Sequence, residues 1–120
     1  MSFNTIYGEL DCPHCKSRIV SGVGFRFGQL NQRQYKKGDE LAWEGDQCRP
    51  PSRPDAQVIK TLGHFNCDNI KCSSWQDCFP DIQTVLITIE NNRITDFVIY
   101  KPSGDEEEFA ILEPAELRGA

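Results

Sequence analysis

Apolar residues recur at alternate positions in several short stretches of the chain, which is the pattern of β-strands. One such stretch contains Ile19, Val23, Phe25 and Phe27, set among polar residues and glycines. Glycine in a helix interior costs about 1 kcal/mol relative to alanine, so these glycines disfavour a helix here. The stretch therefore predicts a strand.

A β-hairpin is predicted in the second half of the chain. Residues 84–90 and 93–100 are rich in β-branched and aromatic residues, and they flank Asn91-Asn92. Asparagine tolerates the positive φ angles that a two-residue hairpin turn requires. With that turn, the pattern predicts the pairs Ile89 with Ile94, Leu86 with Phe97 and Val85 with Val98. Apolar pairs on both faces predict a hairpin that is buried on both sides or partly covered by other segments.

Strand patterns also occur at 5–10 and 58–65, whereas no amphipathic helix of ten or more residues is visible. Seven prolines and nine glycines, against one methionine, also argue against a helical bundle. The sequence predicts a mainly-β fold, small β or α+β, with antiparallel hairpins forming a sheet. Because 120 residues suffice for one core, we expect a single domain over 1–120, with residues 102–120 as an acidic, flexible tail.

No segment of the chain is predicted to direct it to a membrane. Its first residues have neither the basic region nor the apolar run of a signal peptide. The longest apolar-rich stretch, residues 85–89, is far shorter than the roughly 20 residues of a spanning helix. We therefore expect a cytoplasmic protein, whose clustered cysteines are reduced and act as metal ligands or redox centres. In an exported protein, the six cysteines would instead form three disulfides, whose pairing the sequence does not give.

Cys12 and Cys15, in the motif CPHC, fit two different chemistries. In a thioredoxin-like oxidase, the first cysteine lies at the start of a helix, where backbone N–H groups and the helix dipole stabilise its thiolate. The residues after the motif instead alternate like a strand, so the required helix is not predicted. In a zinc knuckle, the same spacing lets two sulfur atoms from one tight turn reach one ion. The metal interpretation is therefore favoured.

A second pair, Cys67 and Cys72, completes a candidate four-thiolate site. Four residues separate these cysteines, at the upper end of the range for pairs that share a metal. Four protein ligands leave no open coordination position, so we expect structural zinc held by both pairs. Such an ion contributes on the order of 10 kcal/mol, comparable to the whole stability of a domain. Cys48, Cys78 and His64 are alternatives for one of the ligands.

The charge balance bears on the kind of partner. The chain has 18 acidic and 13 basic residues, a net charge of −5, and a metal bound by four thiolates adds about −2. Nucleic-acid binding rests on basic side chains, so it is disfavoured. The region with Arg26, Arg33, Lys36 and Lys37 is interpreted as a solvated loop of mixed charge. The alternative prediction is a basic patch beside Phe25, Phe27 and Tyr35. The sequence shows neither a Ser/His/Asp arrangement nor a phosphate-binding glycine loop, so we do not predict an enzyme.

The segments YGELDCPHC, FRFG and YKKGDELAW, with the later cysteine pair, resemble the opening of small zinc-ribbon-like bacterial proteins. Some of these are encoded beside polymorphic toxins and are regarded as their immunity proteins. The resemblance implies a cytosolic, zinc-stapled protein that neutralises a basic toxin domain by occlusion, with no turnover of its own. Aromatic anchors and complementary charge dominate interfaces. The candidate contact residues are Tyr35, Trp43, Asp105, Glu106, Glu107 and Glu108.

Two other functions stay open at this point. One is a zinc ribbon associated with nucleic acid. The other is an electron carrier in which the four thiolates hold iron, since such a site accepts iron as well as zinc.

Overall fold

The computed structural model describes residues 3–44, 47–50, 57–69, 71–72, 75–76, 79–80, 82–101, 104 and 106–112. These residues contain β-strands and no helix, which confirms the predicted mainly-β fold. Accordingly, no described helix is long and apolar enough to cross a membrane. The strands are β1 (Asn4–Tyr7), β2 (Val23–Phe25), β3 (Gly28–Gln29), β4 (Gln34–Lys36), β5 (Cys48–Arg49), β6 (Val58–Phe65), β7 (Trp75–Gln76), β8 (Phe79–Pro80), β9 (Gln83–Glu90), β10 (Arg93–Tyr100) and β11 (Ile111–Leu112).

Seven strands form one sheet in the order β10-β9-β6-β2-β1-β4, with β11 added beside β6. Neighbours in this sheet are antiparallel except β1 and β4, which are parallel. One edge of β6 pairs with β9 along the whole strand. The other edge is shared, because β2 pairs at His64 and β11 pairs at Lys60 and Thr61. The sheet is therefore built around β6, which matches the strand predicted at 58–65.

The strand predicted through the glycine-rich stretch is present but short. Gly22 and Gly28 have φ angles of 83° and 76°, in the left-handed region that glycine adopts most easily. Gly22 precedes β2 and Gly28 begins β3, so the stretch is divided into two short strands. The apolar residues of the stretch still fill the core, since Ile19, Val23, Phe25 and Phe27 are all buried.

The predicted hairpin is confirmed as β9 and β10, with a corrected register. Asn91 and Asn92 have φ angles of 50° and 69°, as a two-residue turn requires. Ile94 pairs with Ile89 as predicted, but a β-bulge before Asp96 shifts the rest of β10 by one residue. The predicted pairs Leu86 with Phe97 and Val85 with Val98 are therefore wrong. The observed pairs are Phe97 with Ile87, Val98 with Leu86 and Ile99 with Val85.

The sheet curls until its two ends meet at a seam, formed by residues 38–41 and 92–94. Gly38 N donates to Ile94 O at 2.7 Å, Ile94 N donates to Asp39 O at 3.0 Å, and Leu41 N donates to Asn92 O at 2.9 Å. The Asn92 side chain also donates to Leu41 O, at 3.0 Å. The core that packs within the curled sheet includes Ile6, Val23, Phe25, Tyr35, Ile87, Ile89 and Ile94.

Part of the segment expected to be a flexible acidic tail packs against the sheet. Leu62 N donates to Ala110 O at 2.9 Å, and Phe109 N donates to His64 Nε2 at 3.0 Å. The apolar run 109–112 explains this docking, because Ile111 covers core residues instead of remaining in water. Residues 102–103, 105 and 113–120 of the predicted tail lie outside the described residues.

Candidate metal centre

The first cysteine pair lies in a tight turn between β1 and β2. Cys12 N donates to Ser17 O at 2.9 Å, and Lys16 N donates back to Cys12 O at 2.9 Å. Lys16 has a φ of 67°, which lets the chain reverse directly after Cys15. No helix follows Cys15 in the described part of the chain, so nothing supplies the helix terminus that an oxidase uses to stabilise its thiolate.

The second cysteine pair lies in the loop that follows β6, and it repeats a local feature of the first. Cys72 N donates to Asn69 O at 2.9 Å, which closes this loop into a turn. Asn69 N donates to Cys67 Sγ at 3.4 Å, just as His14 N donates to Cys12 Sγ at 3.4 Å. In each pair, the first sulfur accepts a hydrogen bond from the amide two residues later. Both turns thus orient a sulfur atom in the same way, although the second turn is longer.

The two turns bring all four sulfur atoms together. Cys12 Sγ lies 3.7 Å from Cys72 Sγ, and Cys15 Sγ lies 3.5 Å from Cys67 Sγ. All four lie within 4.8 Å of one another. A tetrahedral ion with metal–sulfur distances of 2.3 Å requires sulfur atoms about 3.8 Å apart. The four cysteines that the sequence selects therefore have the spacing of a four-thiolate metal site.

Burial makes the four ligands unequal. Cys12, Cys67 and Cys72 are buried, whereas Cys15 is partly exposed. Hydrogen bonds from Ser17 lower the pKa of Cys15 to about 6. Burial raises the pKa of Cys67 to about 12. Because the thiolate is the form that binds metal, Cys15 offers an anion at neutral pH, while Cys67 has to exchange its proton for the ion.

Asp68 joins the two turns, and sequence reasoning missed it. Its Oδ2 accepts hydrogen bonds from Val20 N at 2.6 Å and from Ser21 N at 3.2 Å. Burial raises the pKa of Asp68, but the hydrogen bonds from Ser21 and Val20 lower it by more, so the net shift is downward. The carboxylate thus holds the segment after the first cysteine pair against the second pair. An aspartate directly after a ligand cysteine is the only sequence signal that pointed to this contact.

The other candidate ligands lie apart from the sulfur cluster or outside the described residues. Cys48 is in β5 and is not part of the cluster. The His64 ring uses both nitrogens elsewhere, Nδ1 with Thr84 Oγ1 at 3.4 Å and Nε2 with the Phe109 amide at 3.0 Å. Burial lowers the pKa of His64, which favours this neutral ring. Cys78 falls outside the described residues.

The predicted aromatic contact residues have different environments. Tyr35 is buried, at 5 % exposed, where it packs on Phe25 and its hydroxyl accepts a hydrogen bond from Ala42 N at 3.2 Å. Its side chain is therefore part of the core. Trp43 is 36 % exposed and packs edge-on against Phe27, with ring centroids 5.3 Å apart. Trp43 is thus the predicted aromatic contact that reaches the surface.

The predicted acidic contacts lie on the segment that packs against β6. Glu106 accepts hydrogen bonds from Tyr100 Oη at 2.8 Å and from Gly104 N at 3.2 Å. Glu107 and Glu108 are exposed. Together with His64, these three glutamates line one shallow surface groove. Asp105 falls outside the described residues.

Comparisons with known proteins identify no relative of this chain. No protein-family model matches this chain, and no curated protein and no solved structure matches it either.

Proposed function

We propose that this protein is a β-domain stabilised by structural zinc and that its function is to bind another protein. The observation that carries the proposal is the convergence of four cysteine sulfur atoms from two loops that are distant in sequence. Four sulfur ligands complete a tetrahedral site and leave no position for water or substrate, as in structural zinc sites. The ion would supply folding free energy, and the domain itself would have no catalytic turnover.

Elemental analysis together with a visible spectrum distinguishes zinc from iron at this site. We expect one equivalent of zinc and no visible colour in protein purified under reducing conditions. One equivalent of iron with visible absorption would support the electron-carrier alternative, since four thiolates bind either metal. Protein that folds without a stoichiometric amount of either metal would contradict the proposed site.

The surface favours a protein over a nucleic acid as partner. The aromatic residues of the predicted basic patch, Phe25, Phe27 and Tyr35, are all buried, so they are not available for stacking on bases. The net charge of −5 also opposes binding to phosphates. We expect labelled oligonucleotides to remain unbound at physiological salt. Salt-sensitive binding under that condition would support the nucleic-acid alternative.

A basic protein is the proposed partner, and toxin neutralisation by occlusion is the specific case. Glu107 and Glu108 are exposed on a packed segment, where complementary charge would speed the encounter with a basic surface. The proposed location is the cytoplasm, where thiols stay reduced and are available to bind a metal.

The test of this case uses the protein encoded by the open reading frame next to this gene. We expect that protein to inhibit growth alone and co-expression of this chain to relieve the inhibition. The Glu107→Lys variant should bind it more weakly, while Glu44→Lys, which alters another exposed glutamate, should not. If the neighbouring gene product does not inhibit growth, or inhibits growth but does not bind this chain, the proposed toxin neutralisation is wrong.

A further inference from the structure

The seam closes the curled sheet at one end only. Beyond the seam, β4 pairs with β1 and β10 pairs with β9, and among the described residues neither strand has a partner on its other edge. We call the region beside the seam, between Gln34–Lys36 and residues 97–100, the fork. On its β4 side, Lys36 N donates to Asp39 Oδ2 and Lys36 O accepts from Asp39 N, so the open edge is that of β10. Unpaired strand edges carry free backbone N–H and C=O groups, which can pair with an added strand.

Side chains beside the fork are exposed in a way that indicates a missing neighbour. Ile99 pairs with Val85, so both side chains lie on the same face of the sheet. Val85 is fully buried, at 0 % exposed, whereas Ile99 is 38 % exposed. On the opposite face, Val98 is 47 % exposed. The core is therefore covered as far as β9 and left open along the outer half of β10.

A groove lies at the closed end of the fork. It has a volume of about 370 Å³ and is bordered by Tyr7, Lys36, Asp96 and Phe97. The Phe97 ring lies directly over Gly8, where an added Cβ would collide with it. Phe97 and Tyr7 thus give the groove aromatic walls next to the open edge of β10.

The charges around the fork favour an acidic occupant. Lys37 Nζ is 3.8 Å from an Asp96 carboxylate oxygen, which offsets that pair of charges. Arg33, Lys36 and Lys101 are exposed near the fork. Two carboxylates oppose them, Glu9 in the groove and Glu106, which accepts a hydrogen bond from the Tyr100 hydroxyl at the end of β10. The remaining balance is positive, although the chain as a whole is acidic.

We propose that the fork binds an extended segment of a partner protein, which adds as a strand beside β10. The partner segment would alternate apolar residues, covering Phe97 and Ile99, with acidic residues facing the exposed cations. In strand addition of this kind, main-chain hydrogen bonds provide the affinity, and contacts of alternate side chains provide the specificity. The inference rests on the proposed protein-binding function, and it assigns an acidic strand of the partner to the fork and a basic surface of the partner to Glu107 and Glu108.

The probe is a fluorescein-labelled ten-residue peptide of alternating valine and glutamate, with capped ends, whose binding is followed by anisotropy. We expect saturable binding at least about tenfold tighter than that of the matching valine–lysine peptide, because like charges at an interface are strongly unfavourable. Ile99→Asp and Lys36→Glu should each weaken binding by about tenfold or more. Gln57→Glu, which adds a negative charge at an exposed residue outside the fork, should leave binding unchanged.

Lys36→Glu changes only an exposed side chain, so the test holds even if Ile99→Asp does not fold. Three results would overturn the inference: no saturable binding, equal binding of both peptides, or binding that neither fork variant weakens. A dimer that forms with rising concentration and is lost in Ile99→Asp would show that a second copy of this chain fills the fork, which also overturns it. The binding of the Glu107→Lys variant to the neighbouring gene product is a different measurement, so the proposed function is tested separately from the fork.

Discussion

The Sγ atoms of Cys15 and Cys67 lie 3.5 Å apart, although 52 positions separate the two residues in the chain. One cysteine lies in the turn between β1 and β2, and the other follows β6. Thiolates at this distance repel one another unless a cation lies between them. The contact therefore marks a position where a metal ion would tie two distant parts of the chain together.

Replacement of one ligand should abolish metal binding and most of the stability. Cys67→Ser removes a buried sulfur, and the loss of a structural ion is worth on the order of 10 kcal/mol, as much as the whole domain. We expect Cys67→Ser to retain no stoichiometric metal and to show no cooperative thermal unfolding by circular dichroism. Cys48→Ser, outside the sulfur cluster, should keep the metal and change stability by about 1 kcal/mol or less. Equal effects of the two variants would show that the ligand set is wrong.

Metal affinity should fall as the pH is lowered. The pKa of Cys67 is raised to about 12 by burial, so below that pH the ion has to displace its proton. Acidification increases this competition, and the logarithm of the affinity should fall by at least about one unit for each pH unit. Competition with a zinc-binding dye between pH 8 and pH 6 measures the slope. An affinity independent of pH would contradict binding through thiolates.

The two turn asparagines should differ in their effect on stability. Glycine is well suited to the positive φ of both positions, so the substitutions cost little in the turn itself. Asn92→Gly, however, removes the hydrogen bond to Leu41 O and the one that Trp43 Nε1 donates to Asn92 Oδ1. We expect Asn92→Gly to be less stable than Asn91→Gly by about 1–2 kcal/mol in urea unfolding. If the two variants are equally stable, the side chain of Asn92 does not hold the seam.

Gly63 should tolerate alanine less well than Gly8 does. A Cβ at Gly63 would lie 2.7 Å from Val23 Cγ1 and 2.9 Å from the backbone oxygen of Gly24, which is fixed by the sheet. A Cβ at Gly8 would meet only the ring of Phe97, which can rotate away at the edge of the sheet. We expect Gly63→Ala to cost about 2–3 kcal/mol and Gly8→Ala about 1 kcal/mol. Equal costs in urea unfolding would argue against the close approach of β2 and β6.

His64 should make the domain less stable in acid. The His64 Nε2 accepts a hydrogen bond from the Phe109 amide. Burial lowers the pKa of His64 below the usual 6.5. Between the lowered pKa and 6.5 the unfolded chain binds more protons than the folded chain, so stability rises with pH in that interval. The contribution of neutral His64 to stability is complete above pH 6.5, and it is lost as the pH falls toward the lowered pKa of His64.

Thermal unfolding of paired histidine variants isolates this effect from loss of metal. His64→Gln should flatten the decline in melting temperature between pH 7 and pH 5. His14→Gln, which alters an exposed histidine, should keep the decline. The same pH profile in both variants would contradict the assignment.

Local patterns predict those parts of the structure that local forces determine. The β-branched run of β6 and the Asn91-Asn92 turn are local signals. Cysteine spacing favours the four clustered sulfur atoms, but it leaves Cys48, Cys78 and His64 as alternatives for one of them. The bulge after Ile94 has no such signal, because the seam holds Ile94 from the opposite end of the sheet. Tyr35 stands beside lysines and resembles a surface residue in sequence, but the curl of the sheet buries it.

The pairing of β2 with β6 gives the metal site a further property. β2 leads away from the first cysteine pair and β6 leads to the second, and the two strands pair at Gly24 and His64. Linkage is reciprocal, so the free energy that a bound ion would add to the folded sheet equals the free energy that the folded sheet would add to ion binding. A chain that keeps all four cysteines but has a weaker contact between β2 and β6 would hold its ion less tightly. Metal affinity is thus a property of the sheet as much as of the sulfur atoms.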